Sequence, residues 1–110
     1  MPLPRLTHLQ YLVVSELARQ SEPARGRDLR ERLKAAGVRQ SGPAFYQLMA
    51  GLEDGGFVTG WYEQQVIDGQ IIRERRYKVL AAGTRAIEES RDFYGRRSAA
   101  LRRPGLAYGR

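Results

Sequence analysis

Three arginines stand close together between Gln70 and Leu80, in a stretch whose composition is typical of a β-strand. A guanidinium is planar and permanently charged, and it can bind a phosphate through two parallel hydrogen bonds. Strand geometry places Arg73 and Arg75 on one face and Arg76 on the other. The spacing predicts that at least one of them contacts a phosphate-bearing partner. The alternative is that each is a solvated strand residue.

A second set of candidates accompanies an apolar stripe with helical spacing. The stripe is formed by Phe45, Leu48, Met49 and Leu52. It predicts a helix whose apolar face belongs to the core. Gln47 projects from the opposite face, and a glutamine amide can form two hydrogen bonds with adenine in the major groove of DNA. The alternative is that Gln47 is an ordinary solvated residue.

Polar residues near the start of this helix are placed to contact phosphates. Ser41 is a good N-cap, and capping alone would explain its presence. The hydroxyl of Tyr46 is expected to reach a phosphate, or else its ring packs at the domain edge with the hydroxyl in water. The candidate contacts here, besides Gln47, are Arg39, Gln40, Ser41 and Tyr46.

Several kinds of chemistry have no support in the sequence. There is no cysteine and a single histidine, His8, so thiol catalysis and a Cys or His metal cluster are excluded. No nucleophile and base form a plausible pair, and no glycine-rich phosphate loop is present. The sequence predicts a protein without catalytic activity, metal or cofactor.

Length and charge indicate one small basic domain. The chain has 110 residues, with 19 Lys and Arg against 12 Asp and Glu, for a net charge of +7. Such a charge favours a polyanionic partner. The longest apolar run, 11–14, is far below the roughly 20 residues of a membrane span, and the N-terminus has no signal-peptide pattern. We therefore expect a cytoplasmic protein with no membrane partner.

Apolar periodicity and capping residues predict three helices in the first half of the chain. The first covers about 8–19 and follows a capping box at Thr7 and Gln10. The segment 21–25 reads as a loop. The second helix covers about 26–36, and Gly37 is placed as its C-cap. Ser41 then begins the third helix after a short turn.

The hydrophobic period changes after the third helix and predicts a long β-hairpin. Its strands are 57–67 and 70–80, and Asp68-Gly69 is a strong two-residue turn signal. This register places Glu63 directly opposite Glu74, which is unfavourable for two like charges. Either the pair lies in a frayed or bulged stretch, or the register is different.

The C-terminal part divides into a helix and a basic tail. Residues 84–98 are predicted to form a short helix that Thr84 caps, after a domain covering 1–83. Residues 99–110 are predicted to be a disordered tail. The tail is either a solubilising end or an arm that becomes ordered on DNA. The cations that follow the last acid, Asp92, are Arg96, Arg97, Arg102, Arg103 and Arg110.

Three helices, a long two-stranded wing and a further helix describe an α+β, mostly helical winged helix-turn-helix. The sequence also resembles PadR-like transcriptional regulators over roughly residues 6–95. Their recognition-helix block is matched by Ser41-Gly42-Pro43-Ala44-Phe45-Tyr46, Met49, Leu52-Glu53 and Gly56-Phe57-Val58 with Trp61. The end of their wing and the start of their last helix are matched by Arg76-Tyr77, Leu80, Gly83 and Ala86-Ile87.

This resemblance implies a dimeric bacterial regulator, commonly a repressor, whose N-terminal and C-terminal helices associate. The residues expected at the dimer interface are Leu9, Ile87, Tyr94 and Leu101. Some PadR-like proteins bind aromatic ligands between protomers, so a small aromatic effector is also implied. The third helix departs from the family pattern, because Ala50 and Gly51 stand where basic residues often follow.

Taken together, these features predict a sequence-specific regulator that binds double-stranded DNA as a dimer on an inverted repeat. The alternative is a winged-helix module that binds another protein. It is supported by the absence of Lys and Arg from the third helix, by Asp54 on its outer arc, and by the apolar wing tip 66–72.

Overall fold

The computed structural model describes residues 3–20 and 23–101, and the side chains only as far as residue 98. Of the predicted disordered tail, 99–110, the backbone of residues 99–101 is helical, and the part beyond Leu101 lies outside the described residues. The order of elements matches a winged helix-turn-helix. It is α1 (His8–Ala18), β1 (Ala24–Arg25), α2 (Gly26–Ala35), α3 (Gly42–Asp54), β2 (Val58–Ile67), β3 (Gln70–Val79) and α4 (Ala81–Leu101).

The predicted caps of the first and third helices are confirmed. Thr7 and Gln10 form a reciprocal capping box at the start of α1. The Ser41 hydroxyl accepts a hydrogen bond of 3.2 Å from the backbone N–H of Ala44 at the start of α3. Gly37 adopts a φ of 93° just after α2, a conformation that glycine tolerates without strain.

One hydrophobic core joins the helices to the base of the wing. It contains the predicted stripe of α3, where Phe45, Met49 and Leu52 are fully buried. Every element except β1 contributes buried side chains, so the wing and the helices share one core. The remaining buried apolar residues are Leu6, Val13, Val14, Leu17, Leu29, Leu33, Val58, Tyr77, Ala86 and Ile87.

The sheet has one strand more than the sequence predicts. Residues 24–25 were expected in a loop, but they form β1, where Ala24 pairs with Tyr77 and Arg25 with Arg76. The strand order is β1-β3-β2. The loop prediction was wrong here, because a strand of two residues is too short to show a periodic pattern in the sequence. β1 ties the start of α2 directly to the wing.

The wing itself, formed by β2, β3 and the Asp68-Gly69 turn, has the predicted register. Ten consecutive pairs run from Val58 opposite Val79 to Ile67 opposite Gln70. Glu63 does lie opposite Glu74, so neither a bulge nor a different register relieves the repulsion. Arginines relieve it instead, as described below.

The last helix is longer than expected. α4 has 21 residues and begins three positions before Thr84, which is therefore inside the helix and does not cap it. The backbone N–H of Thr84 already donates to the carbonyl oxygen of Leu80 at 3.1 Å. Gly83 is buried in the first turn, where a Cβ would collide with the carbonyl oxygen of Phe57. Glycine is present for packing and not as a helix stop.

Candidate nucleic-acid interface

The entrance of α3 forms the first group of candidate residues. Arg39 and Ser41 are exposed, and Gln40 is half-buried. They border a groove of about 320 Å³ with α2. Arg30 donates a hydrogen bond of 3.3 Å to the carbonyl oxygen of Gln40, and Lys34 lies on the same groove. Sequence analysis missed both cations because they lie on α2, away from the predicted α3 cluster.

The outer face of α3 carries no Lys or Arg, as predicted, and Asp54 is exposed near its end. Gln47 is exposed, and Tyr46 is 40% exposed. The Tyr46 ring stands edge-on to Phe45, with 4.9 Å between centroids. Its hydroxyl oxygen would lie 3.0 Å from a Cβ at Gly26, so this glycine leaves room for the tyrosine at the start of α2.

Arg73 is the exposed cation of the wing face that looks toward α3. Its guanidinium carbon lies 4.4 Å from the centroid of the Tyr62 ring. Within residues 3–20 and 23–101, no carboxylate lies within 4.0 Å of its guanidinium. Because a guanidinium that stacks on a ring keeps its N–H groups available, Arg73 can bind an anion from solvent.

Arg75 lies on the same face but already has an anionic partner. Its Nη2 donates to Oε1 of Glu53, in the last turn of α3, at 2.7 Å. Its guanidinium carbon also lies 4.8 Å from the centroid of the Tyr62 ring. Burial opposes the charge, but hydrogen bonds to Glu53 and Tyr77 and the Glu53 charge outweigh it, so the pKa of Arg75 is raised.

The space for this ion pair is made by Gly60 on β2. A Cβ there would lie 2.9 Å from both Glu53 Oε1 and the ring of Tyr77, which faces Gly60 across the ladder. Tyr77 is 1% exposed. Burial raises its pKa, against the hydrogen bond from Arg75 that lowers it, so the phenol stays neutral beside Glu53.

Arg76 projects from the opposite face of the wing, as the alternation predicted. Its Nε lies 3.3 Å from Oε2 of Glu63, and its Nη1 donates to the carbonyl oxygen of Pro23 at 3.5 Å. The structure therefore does not bring Arg76 together with Arg73. The three predicted wing arginines therefore have different surroundings. Arg73 is exposed and stacks on Tyr62, Arg75 pairs with Glu53 of α3, and Arg76 binds the carbonyl of Pro23 before β1.

A third cationic group lies where α2, α3 and the wing meet. Arg25 and Arg27 flank Gly26 at the start of α2, and Glu74 lies between them, with Nη1 of Arg25 at 3.5 Å and Nη2 of Arg27 at 3.2 Å. With Tyr46, Arg73 and Arg75 they line a cleft of about 130 Å³. No sequence pattern indicated this group, because the β1 pairing that assembles it was not predicted.

The predicted interface residues fall into different environments. Leu9 is 37% exposed on α1. Ile87 is only 5% exposed and belongs to the protomer's own core, so little of its surface remains for a partner, and its place at a dimer interface stays a prediction. Tyr94 is half-buried and stands edge-on to His8, with 5.2 Å between centroids. The side chain of Leu101 lies outside the described residues.

Within residues 3–20 and 23–101, no group of three or more His, Cys, Asp or Glu side chains is arranged to hold a metal ion. None of the helices in this part of the chain combines the length and apolar character needed to cross a membrane.

Comparison with solved structures identifies the fold. The chain is similar to the PadR-like transcription factor of Bacteroides fragilis, at 20% identity and a TM-score of 0.67, covering 83% of this chain and 84% of that one. It is similar to a PadR family regulator of Clostridium difficile, at 14% identity and a TM-score of 0.71, covering 86% and 95%. No protein-family model and no curated protein matches the sequence.

A third similar structure is Bacillus subtilis PadR in complex with operator DNA, at 15% identity and a TM-score of 0.61. The match covers 87% of this chain and 59% of that protein. The first of these proteins is named a transcription factor and the second a transcription regulator, and the third is bound to operator DNA. The fold is the PadR-like winged helix that the sequence resemblance implied.

Proposed function

We propose that this protein is a cytoplasmic, sequence-specific transcriptional regulator that binds double-stranded DNA as a dimer. The observation that carries the proposal is the open groove of about 470 Å³ between α3 and the wing. Tyr46 and Ala50 of α3 border it on one side, and Tyr62 and Arg73 of the wing on the other. An exposed helix face beside a cationic strand is how winged helices bind the major groove and the adjacent phosphates.

Different residues serve affinity and specificity in this proposal. Gln47 follows Tyr46 on the exposed face of α3 and has the side chain to read adenine. Because α3 has no Lys or Arg, the phosphate contacts come from outside the helix. Arg39 supplies a cation at the entrance of α3, and Arg73 supplies one on the wing.

Dimerisation and repression are the finer parts of the proposal. The exposed Leu9 on α1 and the half-buried Tyr94 on α4 would contribute to the interface between protomers. Two protomers related by a two-fold axis would bind half-sites about 34 Å apart, or a multiple of that distance, in an inverted repeat. Binding at such a site would reduce transcription by excluding the polymerase, and a small aromatic effector would modulate it.

Selection of bound fragments from a genomic library, at low and at physiological salt, tests the proposal. We expect one inverted repeat to stay enriched at the higher salt. Gln47→Ala should lose enrichment at one position of each half-site while keeping its affinity for unrelated DNA. Uniform binding that disappears at the higher salt would contradict sequence-specific regulation.

A second function is favoured by the wing tip. Val66 and Ile71, which face each other across the ladder, are 73% and 70% exposed, and the turn beyond them carries the acidic Asp68. An apolar, acidic tip suits a protein surface better than a phosphate backbone. If no duplex is enriched, we propose a winged-helix module that binds another protein through this tip.

A further inference from the structure

We propose that Glu53 is a specificity-determining residue of this DNA-binding surface, because it neutralises Arg75 and fixes the wing against α3. The inference rests on the proposed function. Glu53 is an acid on the helix that would enter the major groove, where a negative charge would ordinarily oppose DNA. Its ion pair with Arg75 gives that acid a function.

The pair joins the two elements that would contact DNA. Glu53 lies in the last turn of α3, and Arg75 lies in the middle of β3. Their side chains are 22% and 24% exposed, so solvent screens this contact less than an ordinary surface ion pair. Gly60 and the buried ring of Tyr77 enclose the carboxylate on the side away from solvent. The ion pair is therefore a specific polar contact that, beside the shared core, holds α3 against the wing.

The pair also decides which cation of this wing face is available to DNA. Arg73 and Arg75 stack on the same Tyr62 ring, so both would lie near the same stretch of phosphate backbone. Of these two arginines, only Arg75 has a carboxylate partner among the described residues. A cation that is already neutralised releases no counterion from DNA, whereas a free cation contributes to affinity for every sequence alike. By neutralising Arg75, Glu53 lowers affinity for every sequence alike. Its contact between α3 and the wing holds the reading helix in place, which favours only the correct site, so the ratio of operator to unrelated affinity rises.

The test measures the salt dependence of binding to an unrelated duplex and to the selected operator. Glu53→Gln keeps the shape of the side chain but removes its charge, which frees Arg75. We expect the slope of log K against log salt to steepen by about 0.9 on unrelated DNA, the value of one phosphate contact. We expect affinity for that DNA to rise severalfold at low salt, and the ratio of operator to unrelated affinity to fall.

Three variants isolate the cause. Glu88→Gln makes the same change at an exposed residue of α4 and should leave the slope at the wild-type value. Glu53→Gln combined with Arg75→Gln replaces a neutral ion pair by a neutral amide pair, so the slope should return to the wild-type value. Arg73→Gln alone should make the slope shallower by about 0.9. Circular dichroism of each variant shows whether it is folded.

The outcomes separate this inference from the proposed function. If the wild-type protein binds no duplex, the proposed function fails and this inference fails with it. If the wild type binds its operator but Glu53→Gln has the same slope as Glu88→Gln, only the inference is overturned. A double variant that keeps the steeper slope of Glu53→Gln would also overturn it, because Arg75 would then not be the freed cation. If Glu53→Gln fails to fold, the double variant and Arg73→Gln are compared instead. The double variant must keep the wild-type slope while Arg73→Gln has a shallower one. A shallower slope in the double variant would mean that Arg75 already contacts phosphate in the wild type, and it would contradict the inference.

Discussion

Glu63 and Glu74 face each other across the wing, and each has arginine partners from a different part of the protein. Glu63 pairs with Arg76 of the neighbouring strand at 3.3 Å, and Glu74 pairs with Arg27 of α2 at 3.2 Å. Glu74 is also 3.5 Å from Arg25. The like charges are tolerated because guanidinium groups lie on both sides of them.

This arrangement predicts that the effect of Glu63→Gln on stability depends on Arg76. In the wild-type protein the change removes an attractive partner and should lower the free energy of unfolding slightly, by less than about 1 kcal/mol. In an Arg76→Met background it removes a repulsion from Glu74 and should raise that free energy. Urea unfolding of the four proteins measures both effects. The same sign in both backgrounds would contradict the explanation.

Gly83→Ala should destabilise the protein. The new methyl group would collide with the carbonyl oxygen of Phe57 and lie 2.9 Å from Cγ1 of Val79, so α4 must shift away from the wing. We expect a loss of about 1–3 kcal/mol, the usual cost of overpacking. Gly95→Ala is the matched control on the same helix, since its Cβ meets nothing within 4 Å, and it should stabilise the protein by up to about 1 kcal/mol. Thermal unfolding of both variants distinguishes the two effects.

The free energy of unfolding should fall as the pH is raised above about 10. Burial raises the pKa of Tyr77 in the folded protein above its ordinary value of 10.0. At a pH between these two pKa values, the Tyr77 phenol ionises only in the unfolded chain, so raising the pH favours unfolding. The decline should be smaller in Tyr77→Phe, which has no phenol to ionise. Equal declines in wild type and Tyr77→Phe would contradict this prediction.

Ile87→Ala and Leu9→Ala should separate protomer stability from dimer formation. Ile87 is a core residue, so its truncation should cost about 2–5 kcal/mol. Leu9 is 37% exposed, so its truncation should cost less than about 1 kcal/mol within the protomer and weaken the dimer. Urea unfolding and sedimentation, each over a range of protein concentrations, provide the measurements. Unchanged association in Leu9→Ala would remove this residue from the proposed interface.

Features with a strong local signal could be predicted from the sequence. The Asp68-Gly69 turn fixed the register of the wing, and the capping residues Thr7 and Ser41 fixed the starts of two helices. The alternation of strand side chains correctly separated Arg73 and Arg75 from Arg76. These patterns depend on the backbone geometry of neighbouring residues, so they do not require knowledge of the tertiary structure.

Features that depend on distant contacts could not be predicted. The two-residue strand β1 exists only because β3 offers it hydrogen-bond partners. The pairing of Arg75 with Glu53 joins residues that are 22 positions apart, and the same Arg pattern would fit a solvated strand. The sequence placed the end of the first domain at Gly83, but this glycine lies inside α4. It allows a close approach to the Phe57 carbonyl, which no local pattern reveals.

The unbroken ladder of ten pairs restricts how the wing could change in length. Successive residues of a strand point to opposite faces, so removing one residue from one strand would shift the register and turn every later side chain over. Removing one pair would keep the pairing but still exchange the faces beyond that point. Only the deletion of two residues from each strand keeps both the pairing and the orientation of the side chains. Each such deletion shortens the wing by about 7 Å.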